Sequence, residues 1–456
     1  MSDKPITLII SDLHVGGGPH DAGDDHVYQN NQLRRFIEEV GNSADGQAGR
    51  VELFINGDFL EFAQVRPEVY TLGSAYYWCS ENESMEKLNT IIDGHPDIFA
   101  ALNDFQGHGN KVTLAAGNHD VDLYWDDVKK RLRDVAGPVD FATGQDVFTR
   151  YDGKLVIGHG HFLDPANKFE NWAEPFAVRD GELRLAMCPG TLFMVKFVNK
   201  LEESYKFSDN MKPITALARL LLKEEKMGLV AAAWSLFRFI GRNPITALSA
   251  DASDPVKAAA IGPRIVAMLN NPAFLSGVTN IYKTFIDASV SEAEVKERLK
   301  TDEAVMEFIV ELTVKADPEQ WVNVFDLIGS STLGSSPNHL AILQAGMAKD
   351  KEDLRNNARL RITTSNVEVV VFGHTHQPDE WRGTKGKSEG GYFNPGSWTR
   401  YVDVTDMPQL KLADLESEQD FPYQLNYIRV EPATSGKLRA DKICFEQADG
   451  AKFRVG

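Results

Sequence analysis

Apolar, β-forming runs recur toward both ends of this 456-residue chain, and each stops abruptly at a polar or glycine cluster. ITLIIS (6–11), VELFIN (51–56), KVTLAA (111–116) and KLVIGH (154–159) have the length and Val/Ile/Leu content of buried strands. Amphipathic stretches such as NQLRRFIEEV lie between the first three. That alternation predicts an α/β sheet with functional loops at the strand C-termini. Strand character returns late, in VEVVVFGH (367–374), GYFNPGSWTRYVDV (391–404), YQLNYIRVEP (423–432) and DKICFEQ (441–447).

The middle has a different period. Leu, Ala, Lys and Glu at helical spacing fill ITALARLLLKEEK, GLVAAAWSLFRFI, SEAEVKERLKTDEAVMEFIVELTVKA and PNHLAILQAGMAKDKEDLRNNARL, with breaks at Pro213, Pro244, Pro272 and Pro337. Three parts follow: a core segment at 1–165, an all-helical insertion at 166–360 serving as lid or docking surface, and a second core segment at 361–456. The pentapeptide PITAL occurs at 213–217 and 244–248, a match short enough to be chance. Apolar helices around Trp234 pack on one another in the simpler reading; the alternative is that they cover an apolar substrate or make peripheral membrane contact. AYYWC (75–79) reads as buried core, or else as a wall of the pocket entrance, and LKEEK and KDKEDLR as solvated helix faces.

Composition narrows the function. Hydrophobic residues make up 43% of the chain, enough for real cores. A net charge of −18 disfavours general nucleic-acid binding, which needs a basic face. Cys79, Cys188 and Cys444 are far apart and form no CxxC, which argues against a disulfide framework and for a reducing compartment. The apolar run at the N-terminus is too short for a signal peptide, and no stretch reaches the roughly 18 uncharged apolar residues of a spanning helix. The expectation is a soluble, cytoplasmic protein.

The strand ends share one chemistry. The first gives SDLH (Asp12, His14), the second NGDFLEF (Asp58, Glu61), and the third GNHD (Asn118, His119, Asp120). The fourth gives GHGH (His159, His161), and the late strand gives GHTH (His374, His376). Any one cluster alone is more often a turn or a satisfied polar residue. Five of them, each after an apolar strand, point to convergence at one sheet edge. Carboxylate, amide and imidazole donors suit borderline divalent metals such as Mn, Fe or Zn. In D-x-H and H-x-H, residues i and i+2 of an extended segment point the same way, so each pair is expected to face one metal pocket. The glycines of GD, GN and GH let backbones approach without a Cβ.

The order D-x-H, G-D, G-N-H-[DE], H-G and G-H-x-H resembles the fingerprint of the calcineurin-like metallophosphoesterase superfamily, present here as DLH, GD, GNHD, HGH and GHTH between residues 12 and 376. The trailing YFNPGSWT is similar to the strand that follows G-H-x-H in that family. The resemblance implies an α/β fold, a four-layer α/β/β/α sandwich with two divalent metals between the sheets. Manganese is the first expectation, with iron, zinc or magnesium as alternatives. Carried over by position, it implies Asp12, His14 and His376 on one metal, Asn118, His159 and His374 on the other, and Asp58 bridging. It further implies His119 as a non-ligand general acid, with Glu61 as the acid that pairs with it. In HGH either His159 or His161 fits the ligand role; the H-G pair favours His159 and leaves His161 to meet a phosphate oxygen. Asp164 is an outer partner or a plain loop carboxylate.

The implied activity is hydrolysis of a phosphate mono- or diester by metal-activated water on a phosphorylated small-molecule or lipid-linked substrate. Alternatives are pyrophosphatase action on a nucleotide-linked lipid or sugar, a nuclease, and a non-catalytic scaffold of the same fold. GNHDVDLYW is similar to UDP-2,3-diacylglucosamine pyrophosphatase-like members, although those that make lipid A carry Arg where this chain has His119.

Overall fold

The computed structural model describes residues 5–20, 31–65, 79–164, 167–179, 181–188, 269–270, 272–300, 339–383, 391–403, 411–417 and 420–449, with single positions between 190 and 212 and at 304 and 308. Both PITAL copies, Trp234 and residues 75–78 lie outside the described residues.

Two sheets organise the protein. Strands β1 (Ile6–Ile10), β2 (Val51–Asn56), β3 (Lys111–Ala115) and β4 (Asp140–Ala142) run parallel, and the late hairpin β14 (Tyr423–Pro432) and β15 (Leu438–Ala448) adds antiparallel on the β1 side. The order is β15-β14-β1-β2-β3-β4. The second sheet holds β5 (Phe148–Arg150), β6 (Leu155–Ile157), β10 (Val369–Val371), β11 (Asp379–Arg382) and β12 (Gly391–Asn394), in the order β11-β12-β10-β6-β5. The expectation of one sheet for the first four runs is therefore corrected: KLVIGH leaves for the second sheet. The cause is pairing. Leu155–Ile157 and Val369–Val371 are buried throughout and lie side by side in parallel, as central strands covered on both faces do.

Among the described residues, three apolar clusters bind these layers. Helices α1 (Gln32–Asn42), α3 (Glu81–Gly94), α4 (Pro96–Gly107) and α5 (Asp126–Ala136) cover the outer face of the six-stranded sheet, and the short α2 (Ala44–Gln47) follows α1. Their buried positions recur at helical spacing, as Leu33, Phe36 and Ile37 in α1 and Val128, Leu132 and Ala136 in α5. A Ser80–Glu83 capping box starts α3, and Pro96 occupies the first turn of α4. A second cluster joins the inner faces of the two sheets through Ile9, Phe54, Ile157, Val371, Phe393 and Ile428. A third sets Leu354, Ala358 and Ile362 of a long helix, His339–Thr364, against Val156, Val370, Phe372 and Tyr392.

The span 166–360, expected to be all-helical, departs from that at two places. It opens with a β-hairpin, β7 (Phe176–Arg179) and β8 (Glu182–Leu185), closed by Gly181 at φ 82°, and β9 (Met211–Lys212) pairs in parallel with β13 (Val402–Asp403). Phe176 pairs with Trp125 at 4.7 Å, so tertiary packing draws the hairpin onto the core. At its other end the long helix continues to Thr364 and packs on the second sheet, past the expected boundary at 360. Among the described residues, two further helices, α6 (Pro272–Phe285) and α7 (Glu292–Arg298), contact each other, and the long helix that follows them is α8. No described helix is long and apolar enough to cross a membrane.

Candidate metal centre

Each predicted cluster begins where a strand stops. Asp12 and His14 follow β1, Asp58 follows β2, and Asn118 and His119 follow β3; His159 follows β6, and His374 and His376 follow β10. Backbone bonds lace the first two loops together: Leu13 N–H and His14 N–H both donate to the Asp58 carbonyl, at 2.8 and 3.0 Å. From the other sheet, His374 N–H donates to Asp12 Oδ2 at 3.1 Å, while Trp398 N–H and the Ser397 hydroxyl donate to the Asp12 carbonyl at 3.1 and 2.8 Å.

The side chains converge in three groups whose donor atoms lie within 4.8 Å of one another: Asp12, His14, Asp58 and His376; Asp58, His159 and His374; and His14, Glu61 and His119. Asp58 belongs to both of the first two. His376 Nε2 is 3.0 Å from His14 Nε2 and 3.5 Å from Asp12 Oδ1, and His159 Nε2 is 3.0 Å from Asp58 Oδ2. Asn118 is buried beside them, and His119 N–H donates to Asp58 Oδ1 at 2.9 Å.

One sequence expectation changes. The H-x-H pair does not face one pocket: His376 joins Asp12 and His14, whereas His374 joins His159. The segments past the strands are not extended. Asp12, His14, Asp58, His374 and His376 have φ of 56°, 46°, 51°, 70° and 59°. Left-handed backbone is uncommon outside glycine, and strain of this kind gathers at functional loops. The i, i+2 rule of an extended strand therefore does not govern these loops: Asp12 and His14 still share a group, whereas His374 and His376 do not.

The motif glycines are sterically required. A Cβ on Gly117 would stand 2.2 Å from Asp58 Oδ1 and 2.6 Å from Asp58 N, and one on Gly373 would stand 2.0 Å from Ser11 Oγ.

Electrostatics and ring orientation are both fixed by neighbours. Burial would raise the Asp58 carboxyl, but the His159 and His119 rings outweigh it and hold it well below the usual carboxylate range. Burial likewise opposes charge on His159, which its Asp58 partner lifts to about 10. His159 Nδ1 donates to the Asn56 carbonyl at 2.9 Å, which leaves Nε2 toward Asp58. Glu61 is fully buried; despite burial, the His119 and His14 rings lower it to about 2. His119 Nδ1 lies 2.8 Å from both Glu61 oxygens, and against burial this carboxylate and Asp58 raise His119 to about 9.

The donor set could hold a metal ion. Asp12 Oδ1 and Asn118 Oδ1 are buried with no hydrogen-bond partner among the described residues, and buried polar atoms are otherwise almost always satisfied. His161 is also buried, and neither ring nitrogen has such a partner. It stands outside all three groups, 4.3 Å from the Trp172 ring and 5.5 Å from His159. Burial, then His159, hold it well below the usual imidazole range.

Two supporting residues went unassigned in the sequence reading. Asp120 accepts backbone N–H groups from Asp58, Phe59 and Gly117, at 3.3, 2.8 and 2.5 Å. Burial and Asp58 push its carboxyl up to about 7. Asn394 donates to the Gly373 carbonyl at 2.9 Å and accepts from Gly396 N–H at 2.8 Å. Their places in GNHD and FNPG were the available signals.

No model of a known protein family matches the chain, and no curated protein matches it.

Proposed function

We propose that the protein is a dinuclear metal-dependent phosphoesterase of the calcineurin-like metallophosphoesterase type, built as a four-layer α/β/β/α sandwich. The three apolar clusters support the layering. The observation that carries the functional reading is the sharing of Asp58 between two groups of donors. Asp12, His14, Asp58 and His376 would hold one divalent ion, and Asp58, Asn118, His159 and His374 the other. Such a pair of ions supplies a water of lowered pKa and positive charge for the phosphoryl oxygens.

The chain's own residues account for the rest. Glu61 engages His119 Nδ1 and keeps the ring protonated at neutral pH, so Nε2–H is left to protonate a leaving oxygen. His119 is the partly exposed member of its pair, at 13% against 0% for Glu61, so a substrate can reach it while its orienting carboxylate stays dry. Asp120 secures the backbone on both sides of Asp58 and so sets the distance between the two groups. No Ser or Cys nucleophile is needed, and no covalent phosphoenzyme is expected.

The test is hydrolysis of bis-p-nitrophenyl phosphate and p-nitrophenyl phosphate with Mn²⁺, beside Asp58→Asn. Turnover of either that is abolished by chelation and by the substitution supports the reading. Turnover that survives both, or its absence in a protein that binds two ions, overturns it in favour of another chemistry or a scaffold.

A further inference from the structure

We infer that Asp164 and Asn167 are positioning residues that brace the second ion's ligands and determine which atoms of His374 and Asn118 face the cavity. The inference rests on the two-ion reading above.

The two ligands come from different sheets, His374 from the end of β10 and Asn118 from the end of β3. Three hydrogen bonds in series join them. His374 Nε2 lies 3.0 Å from Asp164 Oδ2, Asn167 Nδ2 donates to that same oxygen at 2.5 Å, and Asn118 Nδ2 donates to Asn167 Oδ1 at 3.3 Å. Thr191 steadies one end, its hydroxyl donating to the Asn118 carbonyl at 3.1 Å.

Each link selects an atom. A carboxylate oxygen only accepts, so Asp164 fixes the proton of His374 on Nε2 and leaves Nδ1 as the lone pair. Asn167 presents its carbonyl oxygen to Asn118, so the Asn118 amide group is held and its Oδ1 is turned away. That oxygen is the buried one with no hydrogen-bond partner among the described residues. A flipped Asn118 amide would offer the cavity N–H groups, which repel a cation.

The first group is secured differently. There Glu61 Oε2 takes His14 Nδ1 at 2.5 Å, and Asp164 and Asn167 touch none of Asp12, His14 or His376 in these bonds. In these bonds the first group is held through Glu61 and the second through Asp164 and Asn167. The brace comes from Asp164 and Asn167, which follow the short 3-10 helix His161–Leu163 and belong to neither sheet.

Outer partners of metal ligands alter affinity by about 10–100-fold when removed. Titration of the metal-stripped full-length chain with Mn²⁺, by calorimetry and by electron paramagnetic resonance, measures this. The wild type should take two ions and give the signal of a coupled pair. Asp164→Ala and Asn167→Ala should each weaken one binding step about 10–100-fold, leave the other within about 2-fold, and at one equivalent show the six-line signal of a lone ion. Asp164→Asn, which keeps an acceptor, should restore part of the loss. Should Asp164→Ala fail to fold, Asn167→Ala and Asp164→Asn carry the test. Two unchanged steps in the variants overturn the brace while the two-ion reading stands. A wild type that binds fewer than two ions overturns the reading itself, and the brace with it.

Discussion

His14 and His119 share one carboxylate. Glu61 Oε2 is 2.5 Å from His14 Nδ1 and both its oxygens are 2.8 Å from His119 Nδ1, with the two rings edge to face at 4.7 Å. A candidate ligand and a candidate proton donor are thus oriented by the same buried acid, and the two functions are separable by substitution.

We predict that His119→Ala keeps both ions and loses about 10²–10⁴ in kcat, the usual span for a general acid. Glu61→Gln should do more, weakening one ion about 10–100-fold as well. Elemental analysis beside steady-state kinetics distinguishes them. Loss of metal in His119→Ala would make His119 a ligand and refute the assignment.

His119 and Glu61, together with His159, predict how the metal-stripped protein responds to pH. His119 is raised from its ordinary value to about 9 and His159 to about 10, so the stability they contribute is full below about 6.5 and is lost as pH rises through those values. Glu61, lowered to about 2, contributes above the ordinary carboxylate range and loses this as pH falls toward 2. The melting temperature in EDTA should therefore fall by a few degrees from about pH 6.5 toward pH 10, beyond the loss between about pH 4 and 7 that the raised Asp120 carboxyl brings. An equally steep alkaline fall in Glu61→Gln would show that this pair is not responsible.

His159 and His161 should separate cleanly. His159→Ala removes a donor from the group around Asp58 and should cost one ion, whereas His161→Phe, conservative in a pocket lined by Trp172 and Phe169, should leave metal content unchanged. Metal loss in His161→Phe with retention in His159→Ala would reverse the roles.

Gly117→Ala pushes a methyl group into Asp58, and the loop must shift to accept it. Overpacking of this kind costs about 1–3 kcal/mol. A lower denaturant midpoint with weakened binding of both ions is expected, because Asp58 serves both groups. An unchanged midpoint and full metal content would show that the approach is not tight.

Much of this was legible in the chain. Val369–Val371 and Ile6–Ile10 announce buried strands by composition alone, and the tetrads behind them name the donors now found together. Division of the strands between two sheets was hidden, because a three-residue run such as Leu155–Ile157 carries no mark of its neighbour 200 residues away. Strand geometry alone put His374 and His376 in one pocket and only the resemblance separated them, since φ at a strand end depends on the bonds Asp12 and Ser397 make across the sheets. The Phe176–Arg179 hairpin sits within a span of helical composition and owes its form to Trp125 and Tyr124 beneath it.

The left-handed backbone at five of the candidate ligands bears on how such a centre persists. Glycine at Asp12, His14, Asp58, His374 or His376 would relax the backbone by about 1–2 kcal/mol while deleting the donor. Glycine variants of the metal-free chain should accordingly outlast their alanine counterparts on heating. Backbone ease and a donor atom thus pull in opposite directions at the same five corners, and a chain made sturdier there would be left with nothing to offer a cation.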